Sequence, residues 1–413
     1  MTTPMPPPKR KDPTKRTRLP TRPPDGRSRE ALGLTAMAAQ GRFALQVCAT
    51  CGAVQYPPRQ LCGACLADAL QWRDVAATGT VVAETVLRHS NDLFFRERLP
   101  WRLGMVQLDC GPSAVAHLAE DCVQGQKVRL ALQLDRSGQA VMVARPERPD
   151  AYAGEDRQLR EAGCDPKGRR VLIVDGRTML APELAQAFVR AGSRTVFVGH
   201  AEPWKHSAYV DALRGMDGVE LVPLNVTDSD SVRELAALLG GKVEILVNNS
   251  YHLRDGGAVD RSDVNTPRDE IETHYLGLLR LAREFGPAMR ARGADGEYGA
   301  VAWVNLLSVY ALVNNPAFGT YSASQAAALS LSHCLRAELR PGGVRVLNAF
   351  LGPLEDEWHQ LVPPPKLEPP AVARAVLRGL QDGLEELPVG PVAEEILRRL
   401  AENPKEIERE IGA

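Results

Sequence analysis

Residues 48–65 read Cys-Ala-Thr-Cys-Gly-Ala-Val-Gln-Tyr-Pro-Pro-Arg-Gln-Leu-Cys-Gly-Ala-Cys, two Cys-x-x-Cys pairs held ten residues apart. Each pair can form a tight knuckle that presents two thiolates, and Gly52 follows the first pair where the turn needs a positive φ. Cys48, Cys51, Cys62 and Cys65 together complete a tetrahedral four-sulfur shell that is closed to substrate. A structural zinc is therefore expected. One pair alone would serve equally as a redox dithiol; two at this spacing favour metal, with iron as the alternative the donor set leaves open. Between the knuckles, Gln55-Tyr56-Pro57-Pro58-Arg59 is a stiff extended segment in which the prolines set φ.

Beyond Trp72 come short apolar runs punctuated by glycines: Thr80–Leu87, Leu103–Leu108, Ala114–Leu118, Lys127–Leu134 and Ala140–Ala144. Strands this short and this evenly spaced predict a small barrel of the OB type. Arg88, Arg96, Arg98 and Arg102, with Phe94, Phe95 and Trp101, are its main basic and aromatic cluster. That cluster is read either as a contact for the phosphates and adenine of coenzyme A or as a solvated loop with apolar anchors. A basic, aromatic-rich face suited to nucleic acid is lacking, so an oligonucleotide partner is not expected.

The remainder of the chain bounds these readings. With 413 residues and a formal charge of -1, there is length for two folded units and no charge excess to attract nucleic acid. No apolar run reaches the roughly 18 residues of a membrane span, and no signal-peptide core follows the start, so a cytoplasmic protein is expected. Eight cysteines in so long a chain do not suggest a secreted disulfide scaffold, and Cys110, Cys122, Cys164 and Cys334 are read as buried reduced thiols. Residues 1–30 hold nine Lys or Arg, three acidic residues and eight prolines, which predicts a disordered basic tail. The expected layout continues with helix and ribbon over 31–71, barrel over 72–148, a polar linker over 149–168, an α/β domain over 169–400 and a tail over 401–413.

From Arg170 the pattern changes to continuous apolar strands alternating with helices. Val171–Val174, Thr195–Gly199, Val219–Leu224, Val243–Val247, Val301–Leu306 and Val344–Phe350 are the strands. Such runs are buried on both faces, which predicts a Rossmann-like, doubly wound parallel sheet. Within it stand Val247-Asn248-Asn249, Asn305-x-x-Ser308, Tyr321-Ser322-Ala323-Ser324 and Leu351-Gly352-Pro353, with Ser308 thirteen residues before Tyr321.

Two resemblances follow. The N-terminal helix, Cys-x-x-Cys-Gly, Pro-Pro-Arg, second Cys-x-x-Cys and Gly-Thr-Val strand of residues 35–148 resemble the rubredoxin-like zinc-ribbon/OB-fold proteins that accompany thiolases and other acyl-CoA enzymes. That likeness implies docking on a thiolase-like, hydratase or aldolase partner and help in holding or passing an acyl-CoA. Residues 168–400 resemble the short-chain dehydrogenase/reductase family. This second likeness implies that Tyr321 stands at the general acid/base position and Ser308 at that of the group orienting the substrate oxygen.

The same likeness exposes departures. The family's lysine four residues after the tyrosine is Gln325, and the asparagine that holds a relay water is His274. A neutral amide cannot stabilise a tyrosinate, and at an ordinary pKa near 10 only about one Tyr321 in 10³ would be ionised at pH 7. The glycine-rich cofactor loop reads Asp175-Gly176-Arg177-Thr178-Met179-Leu180-Ala181-Pro182, one residue short, and only its first glycine, Gly176, survives. Asn225 replaces the adenine-contacting aspartate, and Asn248-Asn249-Ser250-Tyr251 replaces the usual Asn-Asn-Ala-Gly; Gly176 and Asn248 are what remains of a cofactor site. NAD(P) is accordingly doubtful.

A non-catalytic scaffold subunit of an acyl-CoA-processing, β-oxidation-like complex is thus expected, with Ser308 and Tyr321 as inherited remnants. It would dock a thiolase-like enzyme through its ribbon and barrel, and pair with itself or with an active short-chain dehydrogenase. The alternative is an active NAD(P)-dependent 3-hydroxyacyl-CoA dehydrogenase with an atypical cofactor loop.

Overall fold

The computed structural model describes residues 21–147, 156–259, 261–293 and 299–411. Helix α1 (Leu32–Ala39) leads into a three-stranded antiparallel sheet of β1 (Ala44–Cys48), β2 (Val54–Gln55) and β3 (Leu70–Asp74), in the order β2-β1-β3. This sheet carries the cysteine knuckles. Next comes a closed barrel of β4 (Thr78–Leu87), β5 (Trp101–Leu108), β6 (Ser113–Leu118), β7 (Lys127–Leu134) and β8 (Ala140–Pro146), with the short helix α2 (Leu93–Arg96) between β4 and β5. Its strand order β4-β5-β6-β8-β7 leaves no open edge, and alternate residues such as Ala114, Ala116 and Leu118 fill the interior.

The second half is a seven-stranded parallel sheet in the order β11-β10-β9-β12-β13-β14-β15. Its strands are β9 (Arg170–Ile173), β10 (Thr195–His200), β11 (Val219–Pro223), β12 (Ile245–Asn248), β13 (Ala302–Ser308), β14 (Arg345–Leu351) and β15 (Glu386–Val389). Six of these were expected from sequence; β15, short and containing Pro388, was not. One face is covered by α3 (Ala181–Arg190) and α4 (Ala208–Arg214), the other by α5 (Ser229–Leu239). After β12 come α6 (Asn265–Ile271), a π-helical turn, α7 (Gly277–Arg292) and α8 (Gly319–Leu339). The chain ends with α9 (Pro369–Asp382), α10 (Pro391–Glu402) and α11 (Pro404–Ile411). Helix α3 shows why the sheet is double-layered: Leu184, Ala185 and Phe188 sit on one stripe, all buried against β9 and β10. Strand order reverses between β9 and β12, which opens a crevice at the carboxyl ends of those strands.

Three expectations about the connecting segments need correction. Residues 21–30 are not a loose tail: Pro23 is buried, its carbonyl accepts from Ser137 Oγ at 2.6 Å, and Arg27 lies 4.0 Å from Asp135. Residues 1–20 lie outside the described part. The linker expected over 149–168 is, from 156 onward, a packed segment with a 3-10 turn at Leu159–Glu161 and buried Leu159, Ala162 and Cys164. The tail expected over 401–413 contains α11, whose Ile407 is buried beside Tyr321 and Phe318 in one apolar cluster. In each case composition was polar enough to suggest solvent, while a few spaced apolar side chains found a surface to cover.

Both halves are in contact. The Arg345 guanidinium on β14 donates to the carbonyls of Leu134 (2.7 Å) and Asp135 (3.2 Å) of the barrel and to that of Ala162 (2.9 Å). Glu385 N–H donates to the Ala39 carbonyl at the end of α1 at 3.0 Å.

Candidate functional site

The four cysteines converge. Their sulfurs all lie within 4.8 Å of one another, with Cys48–Cys65 and Cys51–Cys62 each at 3.6 Å. A tetrahedron of Zn–S bonds of about 2.3 Å has edges of about 3.8 Å, so the shell fits zinc as it stands. Cys48 and Cys62 are buried while Cys51 and Cys65 face outward, and Gly52 takes φ +75° as the first knuckle requires. Backbone N–H groups of Thr50 and Cys51 point at the Cys48 sulfur, and those of Ala64 and Cys65 at the Cys62 sulfur. They supply the outer hydrogen bonds that a charged thiolate shell needs. Gln46 braces the intervening loop, its Oε1 accepting from Arg59 N–H at 2.8 Å and its Nε2 donating to the Arg59 carbonyl at 3.0 Å.

At the crevice of the parallel sheet the remaining site residues are brought together. Ser308 ends β13 and Tyr321 lies in the first turn of α8; the two side chains share a hydrogen bond. Complete burial pushes the Tyr321 phenol well above its ordinary pKa, and the Ser308 hydrogen bond offsets only part of that. Gln325, one helical turn on, does not face Tyr321 as an ammonium would: its Oε1 accepts from Ser308 N–H at 3.0 Å, stapling α8 to the end of β13. His274 is buried, with Nδ1 2.8 Å from Ser324 Oγ and Nε2 accepting from His252 N–H at 3.1 Å. Its pKa is driven down to about 3 by burial, so it is a neutral, fully engaged ring rather than a base.

The cofactor loop is bonded to itself. Arg177 is held by Asp175 through both carboxylate oxygens, each at 3.0 Å, and reaches Glu202 at 3.0 Å. Asn249 ties the loop to β12, accepting from Asp175 N–H (2.9 Å) and donating to the Asp175 carbonyl and Thr178 Oγ1, both at 2.7 Å. Asn248 Oδ1 accepts from Ser250 N–H at 3.3 Å, and the Gly176 N–H donates to the Gly199 carbonyl at 2.8 Å. Both thus hold the loops in place. Met179, Leu180 and Tyr251 close in around Ser308 and Tyr321, leaving a cavity of about 40 Å³. Sites for drug-sized ligands and cofactors run to about 300–1,000 Å³. The residues present do not fit a nicotinamide dinucleotide.

Sequence reasoning noted Tyr251 only as a loop departure and passed over Asp356 and His359, and the three side chains complete this centre. Tyr251 packs edge-on to Tyr321 with ring centroids 6.3 Å apart, and its hydroxyl donates to Asp356 Oδ2 at 2.8 Å. The other Asp356 oxygen pairs with His359 Nδ1 at 2.7 Å. Burial opposes ionisation of Asp356, but its hydrogen bonds and charge contact with His359, and its bond to Tyr251, outweigh that and hold its carboxyl below the usual range. The i,i+3 spacing of Asp356 and His359 after Leu351-Gly352-Pro353 was the available signal. In the barrel, the basic cluster is largely self-satisfied. Arg98 stacks on Phe94 and pairs with Glu161 at 3.1 Å. Arg102 pairs with Glu84 at 2.6 Å and donates to the carbonyls of Glu120 and Cys122. Only Arg88 and Arg96 of that cluster extend into solvent.

Among the described residues no helix is long and apolar enough to cross a membrane.

Comparison with known proteins agrees with this division. Residues 35–71 match the family model of the ChsH2 rubredoxin-like zinc ribbon domain, 72–133 that of the ChsH2 C-terminal OB-fold domain, and 169–362 that of the short chain dehydrogenases. Short-chain dehydrogenase PC-15 of Penicillium crustosum is 32% identical over 197 residues, covering 45% of this chain and 66% of that protein. An uncharacterized oxidoreductase of Mycobacterium tuberculosis is 31% identical over 192 residues, covering 45% of this chain and 54% of its own length. The chain therefore spans only 66% and 54% of these two relatives. A short-chain dehydrogenase from Burkholderia cenocepacia, solved in complex with NADP, superposes with a TM-score of 0.54 at 29% identity, over 60% of this chain and 98% of that one. Residues 169–362 thus form a short chain dehydrogenase domain and residues 35–133 zinc-ribbon and OB-fold domains of the ChsH2 type, joined in one polypeptide.

Proposed function

We propose that this protein is an auxiliary subunit of an acyl-CoA-processing assembly in which the dehydrogenase domain has become a packing module. The observation that carries this reading is the cofactor loop bonded to itself. Arg177, held by Asp175, occupies the loop where pyrophosphate would lie, and Gln325 spends its side chain on Ser308 N–H. A dinucleotide would have to break that ion pair and displace Tyr251 before reaching Tyr321. The ribbon and barrel, braced by zinc, then supply the docking surface for a thiolase-like or related acyl-CoA enzyme. The dehydrogenase fold pairs with a second copy or with an active short-chain dehydrogenase. Tethering successive active sites raises the local concentration of a shared intermediate towards the millimolar range, which is the physical gain of such a fusion.

Calorimetric titration of the purified protein with NAD(H) and NADP(H) tests the reading. No saturable heat is expected up to a few millimolar, and co-purification from the native host is expected to bring a thiolase-like protein. Micromolar nicotinamide binding, or turnover of a hydroxyacyl-CoA by the protein alone, would overturn it. A second reading, an active hydroxyacyl-CoA oxidoreductase, is favoured by one observation: Ser308 and Tyr321 keep their mutual hydrogen bond. The same titration decides between them.

A further inference from the structure

An apolar cavity of the N-terminal half lies outside the barrel wall. Trp101, His117 and Val143 belong to the outward-facing set of β5, β6 and β8, in register through the pairing of His117 with Val143. They are roofed by Phe94 and Phe95 of α2, by Leu159 of the 3-10 turn and by Pro23 of the N-terminal strap. The space measures about 240 Å³. At about 30 Å³ for a water-sized group, it holds about eight heavy atoms.

Its polar features are one hydrogen-bonded pair and, at the rim, the buried Asp135 Oδ2, which has no hydrogen-bond partner among the described residues. Trp101 Nε1–H donates to His117 Nδ1 at 2.8 Å, and indole nitrogen is a donor only. His117 must therefore carry its proton on Nε2, and burial drives its pKa down to about 4, so the ring is neutral at pH 7. One N–H is thus left to serve a ligand. The charges at the rim match three to three: Arg27 faces Asp135 at 4.0 Å, Arg136 pairs with Glu161 at 2.8 Å, and Arg98 lies 3.1 Å from Glu161 and 3.6 Å from Glu97. With each cation already matched, a carboxylate or phosphate would find no spare partner and would lose its hydration on entry.

We propose that this cavity binds an uncharged apolar group of about eight heavy atoms bearing one carbonyl oxygen, which accepts a hydrogen bond from His117 Nε2–H. The aromatic trio Phe94, Phe95 and Trp101, with centroids 5.3–6.0 Å apart, grips the apolar body. The site lies in the other half from the dehydrogenase crevice and does not rest on the loss of nicotinamide chemistry.

Calorimetry or ligand-observed NMR on the full-length zinc-loaded protein tests this with 2-octanone, sodium octanoate and 1-chloroheptane, the last matched in length but a poor acceptor. The ketone is expected to bind saturably and about tenfold more tightly than either competitor, the difference one hydrogen bond or one stranded charge makes. Val143→Trp, which fills the cavity, is expected to abolish binding. His117→Phe keeps the ring volume and is expected to bring the ketone down to the affinity of 1-chloroheptane. Unchanged melting and zinc content show that each variant is folded. The proposal is overturned by any of three results: no saturable ketone binding below about 1 mM, octanoate binding as tightly as the ketone, or His117→Phe retaining the ketone preference.

Discussion

The cysteine centre and the dehydrogenase crevice are both sets of residues gathered from distant points in the chain, yet they have fared differently. In the ribbon all four sulfurs converge within 4.8 Å of one another, and backbone N–H groups face those of Cys48 and Cys62. In the crevice the strands, the switch point and even the Ser308–Tyr321 pair are in place, while the surrounding positions have been turned to internal bonding. The difference teaches that a fold survives on its buried faces, whereas a cofactor site survives only while its polar groups stay unpaired with one another. Asp175, Arg177 and Asn249 are all satisfied internally, so there is little left to recognise a phosphate.

The sharpest way to break the comparison is to damage the ribbon. Cys62→Ser removes a buried ligand, and structural zinc in small domains supplies on the order of 10 kcal/mol of folding energy. Loss of zinc by elemental analysis and rapid proteolysis around residues 44–74 are expected. Zinc retained at one per chain would mean that three ligands suffice.

Next in size is the sheet core. Phe188 is fully buried under β9 and β10, and Phe188→Ala should cost about 3–5 kcal/mol. Denaturant titration followed by far-ultraviolet dichroism should show this loss in the dehydrogenase half while zinc stays bound.

Acid should act on both halves, through one histidine in each whose pKa burial lowers. His274 has its pKa lowered to about 3 from an ordinary 6.5, so the unfolded chain binds a proton that the folded chain refuses. Stability is thus full above pH 6.5 and falls as pH drops towards 3, by about 2 kcal/mol at pH 5. His274→Gln should flatten that slope in a melting-temperature series between pH 7 and pH 5. An unaltered slope would assign the acid sensitivity elsewhere, with the barrel's His117, held at about 4, as the next residue to replace.

The smallest effect is expected from restoring the family's lysine. Gln325→Lys cannot clear Arg177 or Tyr251 from the cradle, so nicotinamide titration should stay flat, and loss of the bond to Ser308 N–H should cost only about 1 kcal/mol. Micromolar cofactor binding by this single variant would show that the lysine alone had been missing.

Much of this molecule was legible along the chain because it is governed by local spacing. Cysteine pairs two residues apart make knuckles, apolar runs buried on both faces make parallel strands, and Ser308 thirteen residues ahead of Tyr321 reaches it from strand end to helix start. The absence of the lysine and of the cradle glycines was equally plain from residue identity. Tertiary structure decided what fills the space they vacated. That Gln325 turns to Ser308 N–H, that Tyr251 joins Asp356 and His359 beside Tyr321, and that α11 packs over this cluster depend on long-range packing that no local spacing encodes. The cavity on the barrel wall is the extreme case. Its lining comes from a segment read as a loose tail, a loop read either as a coenzyme A contact or as solvated, and a stretch read as a linker. Each is too polar to declare a core alone, and they become walls only because Trp101 and His117 present an apolar face wide enough to cover.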